Sequence, residues 1–291
     1  MSAWNTGRTP VLQKAHPPGA RLLLSLPIAM ATTGTRESLT ARAIGLAQWL
    51  RAHANLLVLF VAFLIIGGVW AFVNIADEVV EGDTKHFDEW AVKALRMPNP
   101  KPPPERPPEV PIGPEWAREV GRDMTALGGV AVMFLVTAAV AGYLLMVRKY
   151  HAMWLVLVAT AGGLLVSSAL KNVFDRPRPG VDHYAYVYTS SFPSGHSMLS
   201  AVVYLTLGSL LTRIVPQRAV KVYIIVVALL LTLLVGLSRV YMGVHFPTDV
   251  LAGWTAGLVW AMLCWMVARY LQKRGKVEKD VENKVPESTA R

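Results

Sequence analysis

Apolar residues along this chain gather into blocks, and the polar positions are confined to the gaps between them. Six blocks run approximately from Asn55 to Ile75, Leu127 to Val147, Met153 to Leu170, His196 to Leu211, Val222 to Val240 and Val250 to Val267. All are long enough to cross a hydrocarbon core about 30 Å thick as helices, although the fourth needs tilt or local thinning. Helices are required, because lipid offers no partner to an unpaired backbone N–H or C=O. The pattern predicts an all-α integral-membrane bundle of six transmembrane helices.

The gaps set its orientation. Arg36, Arg42 and Arg51 precede the first block, Arg148 and Lys149 join the second to the third, Arg213, Arg218 and Lys221 join the fourth to the fifth, and Arg269, Lys273, Arg274 and Lys276 follow the sixth. Alternating spans put all of these on one side, which the positive-inside rule makes the cytoplasm. Both termini are expected there. The outer side receives the loop 76–126, the segment from Lys171 to Gly195 and the turn from Tyr241 to Asp249. Within the outer loop, Phe87 to Leu95 reads as a short amphipathic helix, while Pro98 to Pro114 is proline-rich, extended and read as a spacer. The expected domains are a partly disordered cytoplasmic extension 1–54, the six-helix domain 55–268 and a charged, disordered tail 269–291. Arg21 followed by Leu22 to Ala29 has the look of a signal-peptide core, but cleavage there would leave three arginines outside; a biological start at Met30 fits the charge pattern better.

Composition narrows this further. Hydrophobic residues make up 53% and charged residues only 16%, where a soluble domain carries about a quarter. The net charge of +10 raises a nucleic-acid partner, but no basic stripe is interleaved with aromatics, and topology accounts for the excess. Cys264 is the only cysteine, so neither an intrachain disulfide nor a cysteine-rich metal site can form.

Hydrophobicity leaves three polar clusters unexplained, all at outer ends of spans. The first is Lys171-Asn-Val-Phe-Asp-Arg-Pro-Arg178-Pro179, the second Ser191-Phe-Pro-Ser194-Gly195-His196-Ser197, and the third Ser238-Arg239 through His245 to Asp249. Lys171, Arg178 and Arg239 would surround a dianion with three positive charges. Ionisable groups at membrane depth mark function, and snorkelling anchors belong on the other side. Ser194, Gly195 and His196 open a helix whose free N–H groups suit an anion, though Ser194 also fits a plain N-cap. His245 and Asp249 stand four apart with Pro247 between them, so one helical face can carry both. Asp249 would then hold one ring nitrogen and leave the other free as a nucleophile.

These three clusters resemble the signature of the type 2 phosphatidic acid phosphatase (PAP2) superfamily: Lys, six residues, Arg-Pro; Pro-Ser-Gly-His; and Ser-Arg, five residues, His, three residues, Asp. Lys171 with Arg178-Pro179, Pro193 to His196, and Ser238-Arg239 with His245 and Asp249 fill every position, while residues 1 to 54 lie outside the resemblance. Arg176-Pro177 is a second Arg-Pro pair at the wrong distance from Lys171, left with a role in attracting anions. The resemblance implies that His245 forms a phosphohistidine with Asp249 orienting it, and that His196 acts as general acid and then base. Lys171, Ser194, Gly195, Arg178 and Arg239 would bind the phosphoryl oxygens. It implies no metal or other cofactor and a lipid phosphate or diphosphate as substrate, such as undecaprenyl diphosphate, phosphatidylglycerophosphate or phosphatidic acid. The expected setting is a bacterial cytoplasmic membrane with the site outside, among membrane lipids, with no obligate protein partner.

Rival readings are weaker. Vanadate-dependent haloperoxidases share such an oxyanion cage but are soluble. An anion transporter or binding protein needs polar residues along a path through the bilayer, and the first three spans supply almost none. Phosphoryl transfer to a second lipid would use the same residues. A metal site built on Asp175, Asp182 and His183 would have irregular spacing.

Overall fold

In the computed structural model, the described residues are 56–100, 109–180 and 189–273. They form eight helices and a two-stranded ribbon. The helices are α1 (Leu56–Glu81), α2 (Lys85–Ala94), α3 (Glu115–Ala126), α4 (Val130–Met146), α5 (Tyr150–Val173), α6 (Gly195–Ile214), α7 (Arg218–Tyr241) and α8 (Pro247–Lys273). Five of them, α1 and α5 to α8, are long and apolar enough to cross a membrane. A sixth is reached only when α3 and α4 are counted together as one bent span. α4 has only 17 residues, and α3 meets it at a 51° bend across Leu127, Gly128 and Gly129. The six predicted apolar blocks fall mainly on these helices, with Asn55 outside the described residues and Leu127 to Gly129 in the bend. The predicted extension 1–54 and its Met30 start, the prolines within 101–108, Asp182, His183 and the tail after Lys273 lie outside the described residues.

The bundle is arranged around α6, which packs against α8, α7, α5 and α4. Its sequence explains that place. Ser197, Ser200 and Thr206 would be costly against lipid, and all three are buried in protein instead. Ser200 Oγ donates to the Ser197 carbonyl at 3.0 Å, so the hydroxyl brings its own partner. α1 shows the opposite logic. Phe60, Phe63, Ile66 and Trp70 are all more than half exposed, as suits a lipid-facing surface.

Close approach of α6 and α8 depends on a small-residue pair, Gly253 and Gly257, one turn apart. A Cβ on Gly257 would stand 2.5 Å from the Met198 carbonyl oxygen, and one on Gly253 would stand 2.6 Å from that of Ser194. At that end of the bundle Ala76, Phe192 and Ala252 form a buried cluster beneath Phe72 and Phe174. The Phe174 and Phe192 rings meet edge to face at 5.1 Å, and the Phe192–Pro193 peptide is cis.

The described part of the loop 76–126 is more structured than its sequence implied. α2 covers the predicted amphipathic helix, but α3 is a second one that the apolar pattern did not mark. The ends of the proline-rich run also pair rather than act as a spacer. β1 (Arg96–Pro98) runs antiparallel to β2 (Glu109–Pro111), with Met97 opposite Val110. This ribbon is pinned to the end of α7: Arg96 Nη2 donates to the Tyr241 carbonyl at 3.1 Å, and Tyr241 Oη donates to the Ile112 carbonyl at 2.7 Å. Burial pulls the Arg96 guanidinium below its ordinary pKa, with Glu109 and Tyr241 opposing.

Candidate active site

Antiparallel alternation brings four helix ends to one end of the bundle. Lys171 lies in the last turn of α5, His196 in the first turn of α6, Arg239 in the last turn of α7 and Asp249 in the first turn of α8. Arg178 and His245 stand on the connecting segments. Lys171, Arg178, His196, Arg239 and His245 all lie within electrostatic reach of one another. Every residue the sequence singled out for the site is therefore gathered there.

His245 is 1% exposed, and its two ring nitrogens face different chemistry. Nε2 is 3.2 Å from Arg178 Nη1. A guanidinium only donates, so Nε2 is the accepting, unprotonated nitrogen and the proton sits on Nδ1. Nδ1 in turn is 3.4 Å from Asp249 Oδ2 and 3.4 Å from Ser191 Oγ. These contacts are long, as such hydrogen bonds often are without substrate. Burial pushes the His245 imidazole down to about 3; the Asp249 hydrogen bond and charge oppose this, and Arg239 and Arg178 add to it. The ring is neutral at physiological pH, with its Nε2 lone pair turned to the Arg178 guanidinium.

Asp249 is fully buried and heavily partnered. Its Oδ2 accepts from Ser191 Oγ and from the Phe246 N–H at 2.9 Å, and its Oδ1 accepts from Arg176 Nη1 at 2.6 Å. The Ser194 N–H donates to the Asp249 backbone carbonyl at 2.9 Å, tying the start of α6 to the start of α8.

The cations are held differently from one another. Arg178 is anchored by the Val244 carbonyl at 2.7 Å and by the Thr189 carbonyl and hydroxyl at 3.1 and 3.2 Å. Burial lowers the Arg178 pKa, and Asp249 opposes that. Lys171 Nζ donates to the Ser190 carbonyl at 2.7 Å. Arg239 is 7% exposed, and its Nε has no hydrogen-bond partner. An incoming oxyanion would satisfy that N–H. His196 sits at the break between α3 and α4: a Cβ on Gly129 would be 4.0 Å from His196 Nε2, and one on Gly128 would be 3.3 Å from His196 Cβ. Beside Arg178 opens a groove of about 630 Å³, lined among others by Val79, Thr84, Lys85, Val92 and Phe246.

Sequence reasoning missed two participants and misplaced a third. Ser191 lies inside the second cluster but was given no role; it bonds Asp249. Asp88, on the buried face of α2, is 0% exposed and reaches the same network. Arg176 is bound to Asp88 and Asp249, with guanidinium distances of 2.7 and 2.6 Å, rather than free to attract anions. The signal that could have found Asp88 was a carboxylate on the apolar face of a short amphipathic helix.

Residues 152–273 match the family profile of the PAP2 superfamily. Over 145 residues the chain is 34% identical to phosphatidylglycerophosphatase B of Bacillus subtilis (strain 168), a stretch covering 50% of this chain and 71% of that one. The chain belongs to the PAP2 superfamily. Undecaprenyl-diphosphatase of Sulfolobus acidocaldarius is 40% identical over 67 residues, 23% of this chain and 28% of its own. Among solved structures, a transmembrane PAP2 type phosphatidylglycerolphosphate phosphatase from Bacillus subtilis superposes with a TM-score of 0.63 at 27% identity, covering 72% of this chain and 98% of that one. This PAP2 member is a multi-pass membrane enzyme of the phosphatase class, and the fold shared with that structure extends well beyond the residues matched by the profile.

Proposed function

We propose that this PAP2 phosphatase hydrolyses a phosphate monoester or diphosphate on a membrane lipid through a phosphohistidine on His245, at the outer face of a bacterial cytoplasmic membrane. The observation that carries it is the divided environment of His245. Nδ1 faces Asp249 at 3.4 Å, while the unprotonated Nε2 stands 3.2 Å from Arg178 and the ring lies within electrostatic reach of Arg239.

In the first step the Nε2 lone pair attacks phosphorus, and the bond from phosphorus to the lipid oxygen breaks as His196 gives that oxygen a proton. Asp249 stabilises the positive charge that develops on the ring. In the second step His196 takes a proton from water, the resulting oxygen attacks phosphorus, the P–N bond breaks and phosphate leaves. Lys171, Arg178 and Arg239 hold the equatorial oxygens, with the Ser194 side chain and the Gly195 N–H at the start of α6 adding hydrogen bonds. Charge stabilisation that a divalent cation could supply comes here from three side chains, so the reaction is read as metal-independent. The outer placement rests on charge: Arg148, Lys149, Arg213, Arg218 and Lys221 all lie at the opposite end of the bundle.

The relatives' names make phosphatidylglycerophosphate and undecaprenyl diphosphate the first substrates to try, with phosphatidic acid beside them. The test is phosphate release by detergent-purified protein from these lipids in excess EDTA, next to a His245→Ala control. Release by the wild type alone supports the proposal and ranks the substrates. Silence across the panel from folded protein favours transfer to a second lipid or an anion site without catalysis.

A further inference from the structure

Asp249 has a partner that the family signature does not contain. Arg176 Nη1 donates to Asp249 Oδ1 at 2.6 Å and to Thr248 Oγ1 at 2.9 Å, and Nη2 of the same guanidinium donates to Asp88 Oδ2 at 2.7 Å. Asp88 also accepts from the Thr248 N–H at 3.2 Å and from Thr248 Oγ1 at 2.6 Å. The Arg176 plane rests over the Phe246 ring, 4.4 Å from its centroid. Two fully buried carboxylates, from α2 and α8, thus clasp one arginine that is nearly buried.

The charges decide what this arrangement does. Without Arg176, Asp249 would be a buried anion within electrostatic reach of Lys171 and Arg178, held through Oδ2 by Ser191 Oγ and the Phe246 N–H, with Oδ1 unclaimed by either. Arg176 binds its Oδ1 and so leaves Oδ2 directed at His245 Nδ1. Arg176 by itself would add a fourth cation to the site and compete with His245 for the carboxylate. Asp88 offsets that charge and, through Thr248, fixes the first turn of α8 where Asp249 sits. A buried pair of this kind is a poor source of net stability but a good device for fixing one geometry.

We infer that Arg176 and Asp88 are positioning residues for the His245–Asp249 pair, so that the outer helix α2 is part of the catalytic machinery and not only a cover. The inference rests on the reading of His245 and Asp249 given above. Asp88→Asn keeps the shape and removes the charge, while Arg176→Lys keeps the charge and loses the two-armed grip.

Steady-state kinetics on a lipid phosphate, with melting temperatures in detergent, would be measured for both variants alone and combined with Asp249→Asn. Each single variant should lower kcat by roughly tenfold or more with little change in KM, because the group positioned acts on the chemical step. In the Asp249→Asn background the same changes should cost less than about threefold, since coupled residues are not additive. A kcat within threefold of wild type for either folded single variant would overturn the inference, and so would an undiminished loss in the Asp249→Asn background. Should a single variant melt far below the wild type, the second carries the same test. Failure of the underlying reading looks different: His245→Ala would then retain activity whatever Arg176 and Asp88 do.

Discussion

In the proposed mechanism, His245 is set apart by what surrounds it rather than by what it is. Burial lowers its pKa to about 3, below the value near 6.5 of an exposed imidazole. Between those values the unfolded chain binds a proton that the folded one refuses. The contribution of His245 to stability is therefore whole above about pH 6.5 and lost as the pH falls towards 3. The melting temperature in detergent should drop as pH is lowered from 7 to 4, and the drop should be shallower in His245→Gln; parallel curves would show that the ring titrates normally. The same surroundings show what could be read from sequence. His245, Asp249, Lys171, Arg178, His196 and Arg239 were legible because their types and spacings are unusual for membrane spans. Ser191, Asp88 and the true task of Arg176 were not, because each acts through a contact made across 58 to 88 positions of chain.

At the scale of elements, the site exists because α6 and α8 can approach closely enough for the Ser194 N–H to reach the Asp249 carbonyl. Gly253 and Gly257 permit this, and added bulk would meet backbone that cannot move aside. Gly257→Val should lower the melting temperature, at a cost of about 1–3 kcal/mol typical of overpacking, and reduce activity with it. Gly142, where a Cβ would meet nothing within 4 Å, supplies the control: Gly142→Ala should leave activity unchanged and should not lower the melting temperature. Equal behaviour of the two would remove the packing account. The spans themselves were readable from the apolar blocks, since the lipid dictates their length and composition. α3 and the ribbon were not. α3 is amphipathic and outside the apolar pattern, and the ribbon is fixed by Arg96 and Tyr241, partners 145 residues apart. The glycine pair at Leu127–Gly129 is a local turn signal that marks the break between α3 and α4, but only the structure shows His196 packed against it.

For the whole molecule, two properties follow from the alternation of spans: one end gathers the residues of the candidate site, and the other gathers the positive charge of the loops. With Cys264 the only cysteine and buried, a Cys264→Ser background permits single new cysteines to report on sidedness. Lys85→Cys should react with a membrane-impermeant thiol reagent in intact cells, and Arg218→Cys only after permeabilisation; the reverse pattern would place the site in the cytoplasm. The central claim is that His245 Nε2 makes the covalent bond. It is tested most directly by quenching the purified enzyme with a labelled lipid phosphate and mapping the bound label. Phosphate that survives alkali but not acid, carried by the peptide containing His245 and absent from His245→Ala, is the predicted result. Turnover without any such adduct, or an adduct that persists in His245→Ala, would contradict it.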